Sequence, residues 1–390
     1  MSSDSALAAL EAVVINAITI IAQLEAAAAS VNSQNPSENG NAGQDQGPST
    51  LEGDSLDVLS LAHDSVTLIK AHSTKISLLI INEPFTATAI TKVVRELLAG
   101  PLPALASAIQ LCNADRYTQT IQQDLAWRGG RVFNELRELL LRIPKDGNIL
   151  SDEKKNAPAG AATGKGSLAT TGVLWAACDD IISFSKRRFA GNLVHKVEQF
   201  RDTLKDVMEE LKEWGEETDK DDEDEDSARE EDELEQITQE LKDSQLSAAD
   251  HTQAMLDDWM NSQQHIPRDD PDNIRERLES CLRRLRLTTL LYQATVKRRL
   301  KPLAQLPPDP SSKIPGRLDE VMVLLKRIPD RFSNLALAFY ELDPIEIDRL
   351  MDQCFFDAFA VSELLANRWD GGKDEFTDWA LKFQVEIKKS

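Results

Sequence analysis

Carboxylates are the first side chains in this sequence dense enough to do chemistry. From Glu216 to Glu235 there are 14 acidic and 2 basic residues. Asp219, Asp221, Glu223 and Glu230 can be laid on the spacing of a calcium loop, but Asp224 stands where such a loop needs glycine for its sharp turn. A run this acidic satisfies any carboxylate spacing, so it reads as a solvated charge run with only weak, non-specific cation association. Phosphate chemistry fares no better. The string Gly160 to Ser167 (GAATGKGS) glances at a phosphate-binding loop, yet it has three residues between its glycines instead of four, and Gly166 follows Lys165. That backbone cradle depends on spacing, so the string reads as a loop. Among His63, His72, His195, His251 and His265 no two have helical metal-ligand spacing, and His63 and His72 are expected at the surface. Cys112, Cys178, Cys281 and Cys354 are each more than 60 residues apart, with no CxxC pair, which fits a reduced intracellular compartment. No nucleophile elbow is present. The expectation is no catalytic residue, no metal, no cofactor and no enzyme.

One basic segment carries a second possibility. Between Arg275 and Lys301 lie nine Lys or Arg and two acids. Arg283, Arg284, Arg286, Lys297, Arg298 and Arg299 could form a basic face that reads DNA or lies on a membrane. The apolar positions Leu278, Leu282, Leu285, Tyr292, Val296 and Leu300 alternate with them at helical spacing. The favoured reading is therefore a core helix with a basic outer side. The chain carries Lys+Arg 44 against Asp+Glu 66, net −22, which repels nucleic acid.

The elements that must position these groups are helical. Apolar steps of mostly three and four residues run through Val197, Phe200, Leu204, Val207, Leu211 and Trp214, through Val132, Phe133, Leu136, Leu139, Leu140 and Ile143, and through Ile347, Leu350, Cys354, Ala358, Val361 and Leu365. Phe376, Ala380, Phe383 and Ile387 form a last stripe. Ile76 to Ile81 is β-like in composition but lies inside a helical pattern starting near Ser55. Asp343–Pro344 with Glu346, and Asp270–Pro271, read as helix starts, as does Ser247 with Asp250. Pro101 and Pro103 should break the helix that begins near Thr86, and Pro329 should part the Leu318 stripe from Phe332, Leu335 and Phe339. The apolar stretch Ala6 to Ala29 carries Glu11, Asn16, Gln23 and Glu25 and no basic start, so it reads as a packed alanine-rich helix and neither a membrane span nor a signal.

With 390 residues, 41% hydrophobic and only 5% aromatic, the chain has material for more than one core and is poor in β-formers. The predicted fold is all-α: two antiparallel helical bundles joined by an acidic disordered linker. The first bundle spans 1–215 with mobile loops near 32–48 and 145–166, the linker 216–246, and the second bundle 247–390.

Three segments then look familiar: Gly172 to Ile181 (GVLWAACDDI), Leu125 to Arg142 (LAWRGGRVFNELRELLLR, entered through an RGG turn) and Phe332 to Pro344 (FSNLALAFYELDP). Trp175, Ala176 and Cys178 read as core. In order and spacing, and with the acidic middle, the chain resembles the cyclin-D-binding protein family, the cyclin-D-interacting, helix-loop-helix-like regulators. It departs in its long polar stretch Asn32 to Pro48 and in Lys145 to Gly166. The resemblance implies an all-helical protein whose N-terminal bundle is similar to those of vinculin and talin. It implies binding of a cyclin or a helix-loop-helix transcription factor, negative control of cell-cycle progression, and presence in cytoplasm and nucleus. No catalytic motif comes with it. Every apolar stripe is already needed inside a bundle, so recognition should use a groove between helices or the linker. Asp221, Asp222, Glu223, Asp224, Glu225 and Asp226 are the predicted partner contact, acting on association rate more than affinity. Thr218 and Ser227 fit an acid-directed kinase. The other reading is a vinculin-like cytoskeletal or scaffold bundle.

Overall fold

The computed structural model describes residues 3–33, 57–156, 166–217, 265–303 and 312–389. Among them every regular element is a helix, so the chain is all-α. It divides into two compact units, Met1–Leu193 with Leu303–Asp319, and Val194–Pro302 with Glu320–Ser390. Residues 194–215, assigned by sequence to the first domain, thus belong to the second unit. From residue 218 to 246 the predicted linker lies outside the described residues, as does most of the stretch near 32–48.

The first unit contains α1 (Ser3–Ser33), α2 (Val58–Ile81), α3 (Ala87–Ala99), α4 (Pro101–Leu111), the single turn α5 (Ala114–Tyr117), α6 (Gln119–Leu141), the short α7 (Asp152–Asn156) and the part of α8 (Ser167–Glu217) up to Leu193. Helix α1 buries one stripe, Leu10, Val14, Ala17, Ile21 and Ala28, against α3, α4 and α6. By length and composition alone its Asp4–Val31 stretch could also cross a membrane. Helix α2 starts where Asp57 accepts a hydrogen bond from the Leu59 amide, and it buries Ala62, Val66, Ile69, Ile76 and Ile80. The β-like run therefore is a helix face. Gly100 separates α3 from α4, whose first residue is Pro101, at the position where a missing N–H costs nothing. Within 145–166, Leu150 is buried and its amide donates to the Ile80 carbonyl at 2.9 Å, so the stretch before residue 157 packs on the unit.

The RGG sequence is not a turn. Gly129 and Gly130 sit inside α6 and let its neighbours approach: a Cβ on Gly129 would lie 2.3 Å from Ile109 Cδ1 of α4, and one on Gly130 would lie 3.8 Å from Ala28 Cβ of α1. The start of α6 is capped from far away in sequence. Asp319 accepts the Gln119 amide at 2.8 Å and the Thr120 amide at 3.3 Å. Nothing local in the sequence announces that cap.

The second unit holds the rest of α8, α9 (Ile274–Thr295) running into a π-helical turn Val296–Leu300, α10 (Ile314–Tyr340) from Glu320 on, α11 (Pro344–Leu365) and α12 (Glu375–Glu386). Pro329 does not end a helix, against expectation, and α10 runs through it. The proline cannot donate to the Leu325 carbonyl four residues back. That carbonyl instead accepts the buried Tyr292 hydroxyl of α9 at 2.6 Å, so the lost bond is replaced. Asp343 caps α11 as predicted, accepting the Ile345 and Glu346 amides at 3.0 Å. Glu346 closes no box and pairs with Arg349. Asp270 also caps, but from further back: it accepts the Ile274 and Arg275 amides at 2.7 and 2.9 Å while Asn273 takes a left-handed conformation. Ser247 and Asp250 lie outside the described residues.

Candidate partner-binding surfaces

In the first unit, α8 lies against α2 and α6. The Thr171 hydroxyl meets Ser77 of α2 at 3.0 Å, Lys70 of α2 holds Asp179 at 2.6 Å, and Arg128 of α6 reaches Asp180 at 3.1 Å. Leu174, Cys178 and Ile181 face the core. The other side of the helix is open. Trp175 is 37% exposed and Leu168 46% exposed, and Ala176 also faces solvent. The expectation that Trp175 and Ala176 are core is thus corrected, while Cys178 is core as expected. The helical period puts Leu168, Gly172, Trp175 and Asp179 on one face, at steps of four, three and four residues. A Cβ on Gly172 would meet nothing within 4 Å, so the face has a notch between Leu168 and Trp175.

Trp127, the residue before Arg128 on α6, is 55% exposed. The Arg128 and Arg131 guanidiniums approach its ring at 5.9 and 6.0 Å, and Arg128 also lies 4.7 Å from the Phe184 ring of α8. Below this point α8 breaks its helical path at Arg188, which has φ 58° and ψ −170°. Asn192 stabilises the break. Its amide donates to the carbonyls of Phe184 and Arg188 at 2.8 and 2.7 Å, and its oxygen accepts from Arg187 at 3.0 Å. Burial and the nearby Arg128 charge lower the Arg187 pKa.

In the second unit the predicted basic face divides. Arg283, Arg286, Lys297 and Arg298 are exposed; Arg284 and Arg299 are buried. Most of these side chains hold the last helix, α12, at its two ends. At its start the Arg299 guanidinium, 1% exposed, makes a two-pronged bond to Asp374 at 2.8 and 2.9 Å. The same group donates to the Leu365 and Ala366 carbonyls and lies 4.3 Å from the Phe376 ring. Arg298 pairs with Glu375 at 3.1 Å. At the far end Arg283 and Arg284 both donate to the Lys389 carbonyl, at 2.6 and 3.0 Å, where a helix end is electrostatically negative. Arg284 also covers the Phe355 ring at 4.8 Å. Asp374 is itself the N-cap of α12, in a capping box with Thr377, and its bond to Arg299 holds its carboxyl at about 2. The favoured sequence reading, a core helix with a basic outer side, matches this geometry for Arg286 and Lys297. The role of the other four was not visible from spacing.

The predicted contact Asp221, Asp222, Glu223, Asp224, Glu225 and Asp226 lies outside the described residues, as do Thr218, Ser227 and the Gly160-to-Lys165 string. Of the two histidines expected at the surface, His72 is largely covered, its side chain 13% exposed beside Glu96. Among the described residues no group of three or more His, Cys, Asp or Glu could hold a metal ion. Burial pushes the Cys112, Cys178 and Cys281 thiols up to about 12 and raises Cys354 as well, so none is poised as a nucleophile.

Residues 62–217 match the family described as "Grap2 and cyclin-D-interacting, N-terminal". An uncharacterized protein of Schizosaccharomyces pombe is 28% identical over 159 residues, which cover 40% of this chain and 44% of that protein. The chain therefore matches less than half the length of that relative. Both tryptophans of the open α6 and α8 faces lie inside the family match. Over residues 62–217, this chain is similar to the N-terminal part of the cyclin-D-interacting proteins.

Proposed function

We propose that this chain is a non-enzymatic regulatory binding protein that sequesters a cyclin or a helix-loop-helix transcription regulator and so restrains cell-cycle progression, in cytoplasm and nucleus. Two helical bundles joined by an acidic linker do the holding. The Asp221-to-Asp226 run supplies long-range attraction and raises the association rate. The observation that carries the reading is the family match over residues 62–217, within which Trp127 and Trp175 are exposed on the outside of a helical unit. Exposed tryptophan flanked by arginine is the composition of a protein interface.

The test is calorimetric titration of the purified full chain with cyclin D. A saturable complex is the expected result, and stopped-flow mixing should show an association rate about tenfold lower at low salt after deletion of 216–235. No complex with cyclin D, together with co-sedimentation with actin filaments, would replace sequestration by a scaffold role.

A further inference from the structure

We propose that the outer face of α8 from Leu168 to Asp179, with Trp127 of α6 beside it, is a docking groove for an acidic amphipathic helix of a partner protein. This rests on the reading of the chain as a binding protein and names the surface and the chemistry of what binds there.

Shape comes first. Leu168, Gly172 and Trp175 recur at helical steps along one side of α8, and the space over Gly172 is empty to 4 Å. A notch between two large apolar side chains takes one large apolar side chain from outside. A row of such features along a helix suits anchors that themselves recur every three or four residues, as on a second helix. Among the described residues Leu168 and Trp175 stay partly exposed, although α2 and α6 flank α8.

Charge then selects the partner. The aspartates of this face are already held by cations: Asp179 by Lys70, and Asp124 and Asp180 by Arg128 at 3.6 and 3.1 Å. Lys75 of α2, Arg131 of α6, and Lys186 and Arg188 of α8 have no carboxylate partner among the described residues. A chain of net −22 thus shows, around its exposed tryptophans, an apolar strip edged by uncompensated positive charge. The complement is an apolar stripe edged by glutamate or aspartate. A basic helix would meet four like charges. A second copy of this face would meet its own cations.

The probe is a fluorescent synthetic helix of three heptads, with leucine at a and d, glutamate at e and g and alanine elsewhere. A control peptide carries lysine in place of glutamate. Anisotropy titrations use the full chain and the variants Trp175→Ala, Gly172→Gln and Arg131→Glu. All three sites are on the surface, and far-ultraviolet circular dichroism checks that the helix content is kept. The groove requires saturable binding of the glutamate peptide. It also requires a Kd raised about tenfold by Trp175→Ala and by Gly172→Gln, a smaller rise with Arg131→Glu that vanishes at high salt, and no binding of the lysine peptide. Leu337→Ala, an exposed leucine of the second unit, should change nothing. Equal Kd for wild type and Trp175→Ala, equal binding of both peptides, or a dimer in sedimentation that Trp175→Ala abolishes would each overturn the proposal. Cyclin D separates the two readings. If it binds wild type and Trp175→Ala alike, the groove is wrong and the function stands. If it does not bind at all while the glutamate peptide does, the groove stands and the cyclin reading falls.

Discussion

The two units put arginine to opposite uses. In the second, guanidiniums turn inward and substitute for apolar packing: Arg299 fastens the start of α12, Arg284 its end, and Arg327 and Arg331 converge on the buried Asp357 at 2.5 and 3.1 Å. In the first, helices meet through small residues and apolar stripes, with Gly129 and Gly130 letting α4 and α1 close in on α6. There Arg128 pairs with Asp124 and Asp180 and Arg137 with Glu25, while Arg131 beside Trp127 and Arg188 at the helix break meet no carboxylate among the described residues. The same residue type therefore fixes a fold in one place and dresses an accessible surface in the other. What separates the cases is whether a carboxylate or carbonyl of the same unit stands opposite. A stretch rich in Lys and Arg is a binding face only where such internal partners are missing.

The sharpest way to break that contrast is to remove a buried guanidinium. Arg299→Met keeps apolar volume but leaves Asp374 and two carbonyls without their donor. Losing one partner of a buried ion pair costs about 3 kcal/mol or more. Urea unfolding should show the second unit destabilised by that amount, with the first unit's transition unmoved. Arg286→Met and Lys297→Met, which remove exposed charges from the same basic stretch, should each stay within about 0.5 kcal/mol. Comparable losses from all three variants would mean that the basic segment acts as a whole and that the clamp on α12 is not special.

Much of this was legible in the chain before its structure. Periodicity of three and four residues marked the helices and most of their buried faces, because one apolar stripe per helix is a local property. Asp343 and Pro101 could be placed because caps and N-terminal prolines act within one turn. The failures share a cause. Pro329 is tolerated because Tyr292, 37 positions earlier in sequence, reaches the carbonyl that the proline abandons. The RGG string stays helical because other helices need its missing side chains. Asp319 caps a helix 200 residues away. Arg284 and Arg299 share the basic stretch with Arg286 and Lys297, but only the first two are buried, each on a carbonyl or carboxylate that holds α12. In each case the deciding partner is distant in sequence and close in space. The same holds for Trp175: its neighbours suggest core, and only the position of α8 shows it outside.

A second prediction turns on the glycine pair. At Gly129 a side chain must displace Ile109, whereas at Gly130 the nearest atom is at ordinary contact distance. Gly129→Leu should cost the first unit about 1–3 kcal/mol through overpacking. Gly130→Ala should stabilise it by up to about 1 kcal/mol, since alanine is the better helix former. Thermal unfolding of the two variants would then shift in opposite directions. Equal destabilisation would show that α1 sits on α6 as tightly as α4 does.

The replaced bond at Pro329 yields a smaller effect and a cleaner cycle. Tyr292→Phe leaves the Leu325 carbonyl buried without a donor, which costs about 1–2 kcal/mol. Pro329→Ala restores an N–H that can point at the same carbonyl. The Tyr292→Phe change should therefore cost less in a Pro329→Ala background than in the wild type. Simple additivity of the two changes in urea denaturation would rule out the substitution of one donor by the other.

The smallest expected effect distinguishes the units by pH. Burial, with the Lys75 charge, keeps the His72 imidazole below its usual 6.5, against the opposing pull of Glu96. The folded first unit thus resists taking up a proton that the unfolded chain accepts. Stability contributed by neutral His72 is present above about 6.5 and falls as pH drops through that value, levelling off below the folded pKa. Asp374 behaves differently. Its carboxyl is held at about 2 against an ordinary 3.8, so its contribution is complete above 3.8 and is lost only as pH falls through about 2. Acidification from about pH 7 to about pH 5 should therefore loosen α2 and α3 while leaving the α12 clamp intact. Hydrogen exchange, corrected for intrinsic rates, reads both regions in one sample. Protection should fall in peptides from 58–99, hold in those from 366–386, and become insensitive to pH over this range in the first unit when His72 is replaced by Gln. An unchanged slope in His72→Gln would assign the loosening to another group. Equal loss in both regions would show that the arginine clamp gives the second unit no advantage in acid.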